Sequence, residues 1–186
     1  AGQTFSGDGD IFVAKLDDSG NFIWTKTITD NYDVANDVGV DAAGNVYATG
    51  YFTDTVDFDP GLGTFNLTSA SSGLADVFVL KLDNAGDFLW ARGMGGTGSD
   101  IGNRLVVDAA GNVHTTGFFD DTADFDPGPG VANLVTSVGD RNAFVSKLDS
   151  AGNFVWAHGF GSSSAIDNGS DLALDAAGSV FATGYF

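Results

Sequence analysis

The 186 residues carry 43% hydrophobic side chains, enough for a packed core, so wholesale disorder is excluded. All 25 acidic residues are Asp, and against 7 Lys+Arg they leave a net charge of −18, which excludes nucleic acid and an anionic membrane surface as partners. With 0 Cys there is no disulfide scaffold, thiolate metal site or cysteine nucleophile, and no run approaches the roughly 18–20 apolar residues of a membrane span.

The chain opens on AGQTFSGDGD, which does not read as a signal peptide. Its Ser6-Gly7-Asp8-Gly9-Asp10 run is rich in Asp and Gly but lacks the rest of a twelve-residue calcium loop. Next comes DIFVAKLDDSGNFIW (10–24), two strand-like runs around an Asp-x-x-Gly turn. Asp can bond the backbone two residues on, and Gly takes the positive φ that a type I turn with a G1 bulge requires. The same turn signal starts again at Val40, within VDAAGNVYATGYF (40–52), and TVDFDPGLG (55–63) follows in a 23-residue excursion (53–75). From there the pattern returns: DVFVLKLDNAGDFLW (76–90), VDAAGNVHTTGFF (107–119), TADFDPGPG (122–130), NAFVSKLDSAGNFVW (142–156) and LDAAGSVFATGYF (174–186). The period is 66–67 residues, and every part of the chain belongs to it.

One period reads strand, turn, strand, excursion, strand, turn, strand, with no lasting helical periodicity. A chain with 27 Gly and 25 acidic residues, all Asp, favours turns over helices, so the expected class is all-β. In IFVAKLD, Phe12, Ala14 and Leu16 point one way while Ile11 and Val13 point the other, so both faces are apolar except at Lys15, Lys81 and Lys147. A four-stranded antiparallel sheet buried on both faces must lie between neighbours, and radial stacking of such sheets is a β-propeller. The expected division is a half blade (1–30), a blade (31–97), a blade (98–164) and a half blade (165–186), about three blade equivalents. Closed propellers use roughly 4–8 blades, so three are expected to belong to a longer polypeptide or to complete their core with another copy. Val40, Val107 and Leu174 should share one structural position, as should Phe12, Phe78 and Phe144.

FVAKLDDSGNFIW followed by GVDAAGNVYATGYF resembles the bacterial SBBP repeat, a family named for a seven-bladed β-propeller. The FDPG element with TFNLTS after it resembles a longer subtype found in large secreted bacterial proteins. The resemblance covers all 186 residues and implies an extracellular or cell-surface repeat protein. It brings no established catalytic residues.

Asp57 and Asp59, with Asp124 and Asp126 one period on, alternate with Phe58 and Phe125. Each pair projects to one side of an extended segment, a hard-oxygen environment suited to Ca²⁺, or else caps a Pro-Gly turn facing water. Asp33, Asp100 and Asp167 enter the first strand of each unit, either as a ring of carboxylates for a cation or as turn caps. His114 stands where Tyr47 and Phe181 stand, and His158 falls at the solvent-side basic position of Lys26 and Arg92. Neither has a partner His at ligand spacing, which argues against zinc and His-based acid–base catalysis. Trp24, Trp90 and Trp156 pack between blades or offer a carbohydrate-stacking surface. The expectation is therefore a non-enzymatic extracellular structural or adhesive module, calcium-stabilised and self-assembling by half-blade completion. The alternative is a lectin-like recognition propeller, with carbohydrate or a cell-surface protein as partner.

Overall fold

The computed structural model describes residues 11–29, 33–137, 139–162 and 166–186, and these contain strands and turns but no helix. Sixteen strands follow in order: β1 (Ile11–Leu16), β2 (Phe22–Ile28), β3 (Val34–Val40), β4 (Val46–Phe52), β5 (Thr55–Asp57), β6 (Asn66–Thr68), β7 (Asp76–Leu82) and β8 (Phe88–Gly96). The second set is β9 (Ile101–Val107), β10 (Val113–Asp120), β11 (Thr122–Asp124), β12 (Asn133–Val135), β13 (Arg141–Leu148), β14 (Phe154–Phe160), β15 (Asn168–Leu174) and β16 (Val180–Tyr185).

Two sheets contain the same four antiparallel strands, β3-β4-β7-β8 and β9-β10-β13-β14, each in sequence order. Their registers coincide: Val40 faces Val46, which faces Leu82, while Val107 faces Val113, which faces Leu148. Leu174 faces Val180 in the same way, so the expected equivalence of Val40, Val107 and Leu174 holds. The hairpins β1–β2 and β15–β16 are the corresponding halves of neighbouring units. These are propeller-type blades.

Local chemistry closes each main hairpin. Asp17, Asp83 and Asp149 accept the backbone N–H groups two and four residues on at 2.7–2.9 Å, and Gly20, Gly86 and Gly152 take φ values of +78° to +83°. Asp41, Asp108 and Asp175 do the same at the other turn of each unit.

The core lies between blades rather than within them. One cluster joins Ile11, Val13 and Ile28 to Val46, Phe52, Phe58 and Phe78; the next joins Val77, Val79 and Met94 to Phe119, Phe125 and Phe144. The excursion supplies part of this filling and forms its own short hairpin, β5–β6 or β11–β12. The hairpin β11–β12 adds to the sheet of the preceding repeat, with Ala123 opposite Gly96 and Asp124 opposite Gly95, making that sheet six-stranded.

Innermost contacts are regular too. The first strand of each unit bulges opposite a glycine of the second, between Ala35 and Asp37 and again between Gly169 and Asp171. Asn36 from the first of these bulges donates to Gly102 O at 2.9 Å, and Asn103, from the matching bulge between Gly102 and Arg104, donates to Gly169 O at 2.8 Å, tying each first strand to the next.

Candidate functional site

The basic and Trp positions of the third and fourth strands act as a set. Lys15 Nζ and Trp24 Nε1 donate to Asn84 O at 3.1 and 3.2 Å, and Lys15 also bonds the Asn84 side chain. One repeat on, Lys81 Nζ and Trp90 Nε1 donate to Ser150 O at 3.1 and 3.3 Å, while Arg92 Nε donates to Gly152 O at 2.9 Å. Lys26 pairs with Asp87 at 3.2 Å. Each set therefore grips the Asp-x-x-Gly turn of the following blade. Trp24 and Trp90 pack between blades, as one of the two sequence readings had it.

Alternation placed Lys26, Arg92 and His158 on the solvent side, and for Lys26 and Arg92 that needs correction. A period-2 pattern gives the face of a strand but not what covers that face. Here the neighbouring blade's turn covers it.

The third copy of the set has different contacts among the described residues. Lys147 reaches back to Asp108 of its own blade at 3.3 Å. Trp156 and His158 stack at 5.4 Å between ring centroids and line a cleft of about 800 Å³ between β14 and β16. Val145, Phe160, Ala182 and Phe186 add apolar walls, and Asp167 and Asn168 lie at its polar end. Nothing in the sequence pattern marks this cleft, because its residues look like those of the filled interfaces.

Asp33, Asp100 and Asp167 are buried at the start of their strands and bond backbone. Thr53 N donates to Asp33 at 3.0 Å, Gly96 N and Asp120 N to Asp100 at 2.8 and 3.2 Å, and Ser162 N to Asp167 at 2.8 Å. Asp100 thereby stitches the end of one blade to the beginning of the next. Across Gly95 it faces Asp76, whose Oδ2 accepts from Ala70 N at 2.8 Å. Burial, and then the Asp76 charge, push the Asp100 carboxyl up to about 8; burial pushes Asp76 up to about 6. One repeat on, Asn142 takes the place of Asp76 beside Asp167 across Gly161, a neutral isostere of a protonated Asp.

Because the folded state holds these protons more tightly than the unfolded chain, stability should fall as pH rises from the ordinary value of 3.8 through about 8. Asp76→Asn should remove the repulsion and stabilise the chain at pH 8 by about 1 kcal/mol. Urea midpoints at several pH values check this, and the Asn variant should flatten the profile.

Asp57 and Asp124 turn one oxygen onto their own loops. Asp59 N and Phe65 N donate to Asp57 at 3.0 and 2.7 Å, and Asp126 N and Ala132 N to Asp124 at 3.0 and 2.8 Å. Asp59 and Asp126 accept from Gly61 N and Gly128 N at 2.8 Å each. Among the described residues no three His, Cys, Asp or Glu side chains converge in a metal-ligating group, so a cation at either loop would draw on carbonyls and water as well. His114 is buried against Trp156, and burial followed by the Lys147 charge lowers its pKa.

No family model matches the chain. An uncharacterized WD repeat-containing protein of Acanthamoeba polyphaga mimivirus is 25% identical to it over 209 residues. The match covers 98% of this chain but 14% of the relative, so the chain spans a small part of that protein's length. Sheet architecture and relative agree on a propeller-type repeat fold.

Proposed function

We propose that the chain is a non-enzymatic propeller repeat module that serves as a protein-interaction scaffold, outside the cell or on its surface. Its likeness to the long SBBP repeat supports that location, and the WD repeat in the relative's name supports the protein-binding role. The observation that carries the reading is the cleft between β14 and β16. Its Trp156 and the adjoining Lys147 stand at the positions where Trp90 and Lys81 hold a peptide turn one repeat earlier. Such a surface suits a partner that brings backbone carbonyls and apolar side chains.

A lectin-like reading competes because Trp156 and His158 offer stacked rings beside Asp167 and Asn168, a set able to stack on and hydrogen-bond a sugar. A glycan array run with the intact chain and with Trp156→Ala separates the two. No saturable glycan binding is the expected result; binding abolished by Trp156→Ala would replace the scaffold by a lectin.

Calcium stabilisation through Asp57, Asp59, Asp124 and Asp126 belongs to the same proposal. A cation bound to the folded state alone raises its stability. EGTA added to the calcium-loaded chain should therefore lower the melting temperature, and an unchanged value would remove calcium from the reading.

A further inference from the structure

We infer that a recess over Gly95, between two successive excursions, binds an arginine side chain of a partner protein. This rests on the scaffold reading and names the chemistry that the partner brings.

The recess is built by sheet register. Gly95 of β8 lies opposite Asp124 of β11 and, on its other flank, against Asp76 of β7, where a Cβ on Gly95 would collide with the Asp76 carboxyl. Cross-strand partners share a face of the sheet, so a glycine between two carboxylates leaves a gap where a side chain would stand. Gly93, two residues back on the same face, lengthens that floor, and Phe65 and Leu67 of the first excursion wall it. The space measures about 320 Å³. That is the low end of ligand pockets, roughly 300–1,000 Å³, and suits one side chain.

Its charge is unbalanced. Asp76 is 4% exposed, and its Oδ1, over Gly95, has no hydrogen-bond partner among the described residues. Burial raises the pKa of this carboxyl, and backbone N–H groups of Ala70 and Gly96 are what work against it. Asp100 approaches the same point, with Oδ2 2.9 Å from that Cβ position, and brings no positive charge. Asp124 gives Oδ1 to its own loop, and Asp126 stands beside it in the lining. Among the described residues of the lining the one basic side chain is Arg92, whose guanidinium is held on the Ala91, Ala151 and Gly152 carbonyls.

The fold does not require that charge. One repeat on, Asn142 stands in place of Asp76, beside Gly161 and Asp167. A buried carboxylate whose neutral isostere serves the neighbouring blade is a candidate for binding rather than for folding.

The occupant follows from the spacing. Asp76 and Asp124 flank Gly95 from two strands, roughly 9–10 Å apart at the backbone. Among the described residues no three acidic side chains converge as a compact metal ion needs. A guanidinium, planar and with five N–H donors, can reach both carboxylates while its carbon stem lies along Phe65 and Leu67. The net charge of −18 steers a basic partner toward the chain.

The test uses the whole chain, in EGTA because calcium at Asp124 and Asp126 would compete, and at about 0.15 M salt to screen diffuse attraction. The amide NMR signals of Gly93 and Gly95 are followed while N-acetyl-Gly-Arg-Gly-amide is added in the millimolar range. Saturable shifts confined to the recess are expected, and none with citrulline, the uncharged isostere, in place of the arginine. Asp76→Asn should weaken binding about tenfold or more. It should melt no lower than the parent at pH 8, so the loss is not one of folding. Asp18→Asn removes the same charge from an exposed turn and should bind like the parent. No saturable shift, equal binding of the citrulline peptide, an unchanged affinity in Asp76→Asn, or an equal loss in Asp18→Asn each overturns the assignment. None of these bears on the scaffold reading, which the glycan array decides.

Discussion

Replacing Phe144 with Ala should destabilise the folded chain by about 3–5 kcal/mol, and Phe78→Ala by a similar amount. Both rings are fully buried in clusters shared by two blades. Phe144 packs on Phe125 at 4.7 Å and Phe78 on Phe58 at 5.0 Å, and Phe119 and Phe52 close the far side of each stack edge-on. Removing either ring leaves a void walled by strands of two sheets, which hydrogen bonding keeps from collapsing inward. Phe12→Ala truncates a ring that is 58% exposed and should cost far less in dilute solution. Urea unfolding checks all three, read as a fall in midpoint at constant slope.

Gly117→Ala should be as damaging for a different reason. A Cβ there would lie 1.8 Å from Ile101 O and 2.9 Å from Ile101 C, backbone atoms that no rotamer change can move. Overpacking usually costs about 1–3 kcal/mol, and a clash with backbone on a paired strand belongs at or above the top of that range. The glycine sits opposite the bulge from which Asn103 reaches Gly169, so the inter-blade bond at the inner strands should loosen as well. Gly50, one repeat earlier, has the same 1.8 Å approach to Val34 O. Thermal unfolding of Gly117→Ala and Gly50→Ala should show losses of the same order.

The turns and the repeat were legible because their chemistry is local. Asp-x-x-Gly specifies its own hydrogen bonds within five residues, and six copies at a regular period leave little freedom in strand order. Alternation marked both faces of Phe78 and Val79 as apolar, which implies stacking. What the pattern did not carry is contact across the stack. Arg92 on Gly152 O and Asp100 on Gly96 N join residues of different blades, and no short-range rule brings them together. The cleft beside Trp156 is legible only by comparison with Trp24 and Trp90, once their turns are seen on them.

The six-stranded sheet has a consequence for the order in which the chain matures on the ribosome. Strand β8 finishes at Gly96, but the strand that pairs with its last two residues, Gly95 and Gly96, is β11, which begins only at Thr122, after the first two strands of the following repeat. A nascent blade therefore emerges with the end of its last strand unpaired, and an unpaired strand end is a template for wrong pairing with another chain. The hairpin β11–β12 closes this end of the blade made before it, so translation speed through residues 97–122 sets how long that end stays open.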